Sequence, residues 1–140
     1  MKNKSLIIIT LSYVLTFTGC SSTSNVYQEV GGTEKITEIV DYFIEEITFS
    51  PEIYAYFEES DVDRFREKMI EHVCHLIAGP CEYTGDTMVD VHTGMNVNEA
   101  HFNLTVDLFI NAMDRAGIAH SVQNKILNAM AKTRSEIIYR

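Results

Sequence analysis

The chain has 140 residues and a mass of 15.9 kDa, with 46% hydrophobic and 22% charged residues, the balance of one globular domain with at most a short appendage. Two prolines, no tryptophan and no internal repeat exclude collagen-like, low-complexity and solenoid architectures. A net charge of −9, from 20 acidic against 11 basic residues, disfavours binding to the phosphate backbone of nucleic acid.

The first segment reads as an address. Lys2 and Lys4 precede an apolar run from Leu6 to Phe17 that is short for a bilayer span. Thr18-Gly19 lead into Cys20, and Ser21, Ser22, Thr23 and Ser24 follow. The segment resembles a bacterial lipoprotein signal peptide, with an ordinary secretory signal and an incidental Cys20 as the alternative. The resemblance implies that residues 1–19 are removed, that Cys20 is lipidated, and that residues 20–25 tether a domain spanning 26–140. Serine after the cysteine, by the same resemblance, points to the cell envelope, at the periplasmic face of the outer membrane where the organism has one. In such an oxidising compartment Cys74 and Cys81, which straddle Ala78-Gly79-Pro80, are a permitted disulfide, though two buried thiols are an equal reading.

The remaining chain reads as helices throughout. Gly31-Gly32 breaks any early helix, and Thr33 is placed to cap the next, whose Ile36, Ile39, Val40, Phe43, Ile44 and Ile47 recur at three- and four-residue steps. Pro51 suits the first turn of a short helix through Phe57. Asp61 can cap a third long helix, with Phe65, Met69, Val73 and Leu76 on one face, ended by Gly79-Pro80. Residues 81–97 read as loop, one short helix and loop. Asn98 can cap a long helix through about Ala116 carrying Phe102, Val106, Phe109, Ile110 and Met113, and Gly117 stops it. A single last helix is expected from about Ser121 to Ile138. No stretch alternates with period two, so the fold class is all-α.

Five histidines carry the candidate chemistry: His72, His75, His92, His101 and His120. His92 closes the short segment Met88-Val89-Asp90-Val91-His92 before Thr93-Gly94, where an imidazole can be aimed at a metal without distorting a long helix. His72 and His75 form an i,i+3 pair, but two ligands do not make a metal site, and His120 falls in a linker. The chain has no His-Glu-x-x-His, no Cys-x-x-Cys-His, no Gly-rich phosphate loop and no Gly-x-Ser-x-Gly, so a zinc hydrolase, covalent haem attachment, a nucleotide enzyme and a serine hydrolase all lack their motifs.

Across residues 26–138 the chain resembles the group I truncated haemoglobins, the short two-over-two globins. The resemblance is carried by Tyr27-Gln28-Glu29-Val30-Gly31-Gly32, by Pro51 through Tyr56-Phe57, and by Ala78-Gly79-Pro80 with Tyr83-Thr84-Gly85. It continues in Met88, His92-Thr93-Gly94-Met95-Asn96-Val97 and His101-Phe102. Ala78 and Asn96 stand where glycine is usual. The resemblance implies a non-covalent haem b with His92 as proximal iron ligand, Met88 and Phe102 packed on the proximal side, Tyr83 at the pocket and Phe43 walling the distal cavity. Haem would fill space that side chains otherwise close, so the apo form is expected to be looser.

The distal positions depart from the family. Ungapped placement puts Ile44 where tyrosine is common, and Phe65, Lys68 and Met69 where polar groups are frequent. Tyr42 lies about 100° of helix rotation from that site and does not replace the hydroxyl. A donor to bound dioxygen contributes on the order of 1–3 kcal/mol, or roughly 5- to 150-fold in affinity, so weak oxygen retention is expected, and Ile44→Tyr should slow oxygen release. Lys68 could donate if its ammonium turned inward, but a solvated or propionate-bound role is the stronger reading. The implied partners are a small diatomic gas, a membrane through the lipid anchor, and a separate reductase or electron-transfer protein. Met69, Lys68 or His72 on the sixth iron position would instead make a six-coordinate electron-transfer protein. A nitric oxide dioxygenase-type activity would need that external electron donor.

Overall fold

The structure, a computed structural model, describes residues 25–140, and the expected signal peptide and Cys20 lie outside them. The described chain forms α1 (Val26–Val30), α2 (Gly32–Thr48), α3 (Pro51–Tyr54), α4 (Val62–Leu76), α5 (Met88–His92), α6 (Glu99–Arg115), α7 (His120–Met130) and α8 (Arg134–Ile137), with a 3₁₀ turn at Ala131–Thr133 and no strand among the described residues. None of these helices is long and apolar enough to cross a membrane.

Local chemistry sets most boundaries. Asn25, Asp61, Thr87 and Asn98 each cap a helix, their side chains accepting from the backbone N–H three residues on. Thr33 does not cap α2. Gly31 stands at that junction with φ 108°, and the Tyr27 hydroxyl accepts the Thr33 N–H at 3.2 Å. Ala78 and Asn96, the two departures from glycine, take the left-handed conformation that glycine favours, with φ 61° and 50°. Gly79 has no such freedom of replacement, because a Cβ there would lie 2.5 Å from Cys74 Sγ and 2.6 Å from Tyr27 Cδ2. Cys74 and Cys81 are joined as a disulfide with Cα atoms 5.8 Å apart, which pins the loop after α4 to that helix.

α2 packs most extensively on α6 and α4, and α4 also meets α7, giving the two-over-two arrangement. The core runs along α2 through the buried Ile36, Ile39, Val40, Phe43 and Ile47, and is met by Val73 of α4, Met113 of α6 and Ile126 of α7. The Phe43 and Phe109 rings meet edge-on at 5.2 Å between α2 and α6.

The last helix differs from the sequence expectation. The Thr133 hydroxyl donates to the Met130 carbonyl at 2.8 Å, the chain tightens into the 3₁₀ turn, and α8 swings onto α5. The terminal residues then pair with the loop after α5: Tyr139 N–H donates to Val97 O and Asn96 N–H to Arg140 O, both at 2.9 Å.

Candidate functional site

Against the core lies a cavity of about 390 Å³, walled by residues of α2, α3, α4, α5, α6, α7 and the broken C-terminal segment. Its volume is within the range of small-molecule sites, and its lining is mainly apolar.

α5 presents His92 to this cavity. The helix is only five residues long, and its start is held by Thr87, whose hydroxyl accepts the Asp90 N–H and donates to Asp90 Oδ2 at 2.6 Å. His92 Nδ1 sits 2.7 Å from the Met88 carbonyl oxygen. A carbonyl only accepts, so Nδ1 carries the proton and Nε2 keeps its lone pair, the tautomer a metal-binding imidazole requires. Met88 and Phe102 line the cavity beside it, and the Arg134 guanidinium stands 5.4 Å from the Phe102 ring centroid while pairing with Glu99.

Across the cavity are Phe43 from α2 and Met69 and His72 from α4. His72 Nδ1 is buried without a hydrogen-bond partner. Burial first, and then the nearby His75 and His92, push its pKa below the ordinary imidazole value and keep it neutral. Its ring meets Tyr83 edge-on at 5.0 Å.

Four of the sequence-predicted residues do not reach the cavity wall. Ile44 lines a smaller pocket of about 100 Å³ together with Phe57 and Phe65. Phe65 stacks obliquely on Phe43 at 6.4 Å and edge-on against Phe57 at 4.8 Å, behind the wall it was expected to form. Tyr83 turns its hydroxyl to the Asp86 carbonyl at 2.7 Å. Lys68 is held away by its own neighbours. Its Nζ donates to Glu67 Oε1 at 2.7 Å, Glu71 Oε1 at 3.0 Å and Thr84 Oγ1 at 2.7 Å, and the two carboxylates, Glu67 first, raise its pKa. Glu71 in turn accepts the Thr84 N–H at 2.9 Å. That bond first, and then Lys68, lower its pKa to about 2.

Several lining residues were not legible in the sequence. Ile137 and Thr133 arrive because the last helix breaks, and Met95 arrives through the loop after α5. Tyr56 lines the cavity and places its hydroxyl 2.7 Å from His101 Nδ1 of α6. His101 directly precedes Phe102, but no periodic signal links it to a tyrosine 45 residues earlier.

The donor set fits a flat iron macrocycle. One imidazole offers a free nitrogen, aromatic and thioether groups supply apolar faces, and one buried nitrogen across the cavity lacks a partner. Among the described residues no group of three or more His, Cys, Asp or Glu side chains could hold a bare metal ion.

The helix arrangement and the histidine-walled cavity define a globin of the two-over-two class. Residues 25–139 match the family described as bacterial-like globin, and the chain belongs to it. A group 1 truncated haemoglobin of Mycolicibacterium paratuberculosis is 27% identical over 114 residues, covering 81% of this chain and 84% of that protein. One from Tetrahymena pyriformis is 22% identical over 113 residues, covering 81% and 93%. Among solved structures, the Fe(III) form of the truncated haemoglobin of Tetrahymena pyriformis superposes with a TM-score of 0.80 at 21% identity, over 84% of this chain and all of that one. The 2/2 haemoglobin of Synechococcus, in the cyanomet state with covalently attached haem, does so with 0.77 at 12% identity, over 84% of this chain and 100% of that one.

Proposed function

We propose that this globin holds a non-covalent haem b on His92 and reversibly binds a small diatomic gas: dioxygen, nitric oxide or carbon monoxide. The observation that supports it most directly is the His92–Met88 hydrogen bond, which commits Nδ1 and leaves Nε2 to an iron atom in the cavity. Bound there, the iron supplies the open coordination position on which a diatomic gas is held. Met88 and Phe102, which line the cavity with His92, and Phe43 and Met69, which line it as well, would hold the macrocycle by apolar contact. The Tyr56 hydroxyl is engaged by His101, and Phe43 and Met69 carry no N–H or O–H, which leaves the His72 imidazole as the one donor among the groups across from His92. Faster oxygen release and a higher preference for carbon monoxide over oxygen than in a globin with a distal tyrosine follow.

In this reading Cys20 carries a lipid, residues 20–25 form the tether, and the globin domain works at a membrane surface of the cell envelope, served by a separate reductase. A second reading, a six-coordinate electron-transfer protein, draws on Met69 and His72 lining the same cavity as His92.

Absorption spectra of the haem-reconstituted protein, reduced with and without carbon monoxide, test both. Gas binding gives a five-coordinate ferrous spectrum that shifts on adding carbon monoxide, and His92→Ala abolishes it. Low-spin bands without added ligand would favour electron transfer. Wild type and His92→Ala both ignoring haem would overturn both.

A further inference from the structure

From the small pocket between the end of α2 and the start of α4 we infer that this face docks a basic electron-transfer protein, one that seats an apolar knob ringed by lysine or arginine and passes an electron to the haem. The inference rests on the proposed haem site and gives the separate reductase its surface.

Exposed apolar groups gather at this corner. Phe49, the C-cap of α2, is 81% exposed, and Tyr54 and Val62 are exposed as well. Tyr54, Val62 and Thr48, the residue before Phe49, line the pocket of about 100 Å³ that Ile44 and Phe65 also line. Folding gains almost nothing from a ring left so far in water, whereas a partner that covers it does.

Charge identifies the occupant. Between Lys35 and Arg64 the chain carries no basic residue. Lys35, Arg66 and Arg115 pair with Glu38, Asp41, Glu45 and Glu46. Glu52, Glu58, Glu59 and Asp61 are exposed and in no salt bridge among the described residues, and Glu58 lines the pocket itself. An apolar recess edged by one sign of charge selects a partner of the other sign and steers its approach. A second copy of this chain would set acid against acid, and anionic lipid is repelled in the same way. The membrane also lies elsewhere. Asn25, which follows the proposed tether, donates to the Ala78 carbonyl at 3.1 Å near the start of α2, and Phe49 closes the other end of that 17-residue helix, about 25 Å along its axis.

The pocket abuts the cavity. Phe57 lines both, and its ring meets Phe65 edge-on at 4.8 Å. A partner seated on Phe49 and Tyr54 therefore stands one aromatic ring from the space that haem fills. One electron leaves the partner's reduced centre and arrives at ferric haem, which becomes ferrous. No bond is made or broken and no proton moves.

The probe is cytochrome c, a basic protein whose exposed haem edge is ringed by lysines. Haem uptake and carbon monoxide binding are recorded first on the haem-reconstituted protein. Cytochrome c is then titrated in a calorimeter, and anaerobic electron exchange is followed by stopped flow. Binding is expected to weaken about tenfold from low to physiological salt. Phe49→Ser and the double variant Glu58→Lys/Glu59→Lys should each weaken binding and slow exchange by roughly tenfold, with haem and carbon monoxide spectra unchanged. None of these three residues lines the His92 cavity. Glu34→Lys/Glu136→Lys makes the same change in net charge away from the patch and should stay within about twofold of wild type. A haem-loaded wild type that ignores cytochrome c, or an affinity that follows net charge alone and is indifferent to Phe49, would overturn the docking surface and leave gas binding standing. So would a wild type that dimerises, or binds anionic vesicles, through Phe49. Failure of the wild type to take up haem would overturn both.

Discussion

The Nδ1 atom of His92 lies 2.7 Å from the carbonyl oxygen of Met88, one helical turn back in the same five-residue helix. The contact fixes ring orientation and tautomer from within α5, so His92 needs no partner elsewhere in the fold. Removing the imidazole while leaving its space should therefore be reversible. His92→Gly is expected to lose haem affinity by more than the ~10- to 100-fold typical of losing an outer-shell partner, and added imidazole should restore it. Haem titration with and without imidazole measures this.

Met69 faces the cavity and Ile44 does not, which changes where a distal donor belongs. Met69→Gln places an amide N–H on that wall and should slow dioxygen release by roughly 5- to 150-fold, the equivalent of a 1–3 kcal/mol hydrogen bond. Ile44→Tyr, the substitution that ungapped placement favours, should change release less, because its side chain enters the smaller pocket beside Phe65. Stopped-flow displacement of oxygen by carbon monoxide compares the two.

The disulfide between Cys74 and Cys81 closes a short loop onto α4. By loop-closure entropy it contributes ~2–3 kcal/mol, so the double variant Cys74→Ser/Cys81→Ser should unfold at lower denaturant with little change in slope. Reductant should reproduce the loss in the wild type and leave the variant unaffected.

Glu71 joins Lys68 to the Thr84 backbone, and its folded pKa of about 2 lies below the ordinary 4.5. A carboxylate with a depressed folded pKa stabilises the fold above its unfolded value and loses that contribution as pH falls through the folded one. Glu71→Gln should therefore be less stable than wild type at neutral pH. The gap should narrow from about pH 4.5 and close near pH 2. Denaturation curves at stepped pH would show it.

Ala78 holds φ 61°, a conformation that costs a residue with a Cβ roughly 1–2 kcal/mol. Glycine removes that strain but gains freedom in the unfolded chain, worth about 0.4–1 kcal/mol in the other direction. Ala78→Gly is accordingly expected to stabilise the fold by up to ~1.5 kcal/mol in chemical denaturation.

The helices of this globin are legible because their causes are local. Periodicity along Ile36–Ile47, the caps Asp61 and Asn98, and the stop at Gly117 each act within a turn or two of chain. His92 could be picked out for the same reason, since its short helix and the Thr93-Gly94 break are sequence neighbours. What surrounds it was decided elsewhere. Lys68 is drawn from the cavity by Thr84, sixteen residues on, and Ile44 and Phe65 share a side pocket with Phe57. The last helix breaks at a hydroxyl-to-carbonyl bond and brings Ile137 to the site, and Tyr56 meets His101 across 45 residues. Helix formation is set by hydrogen bonds and side-chain spacing that sequence order already contains. Which side chains share one cavity depends on how the finished helices cross, and that is settled only when the core along α2 closes.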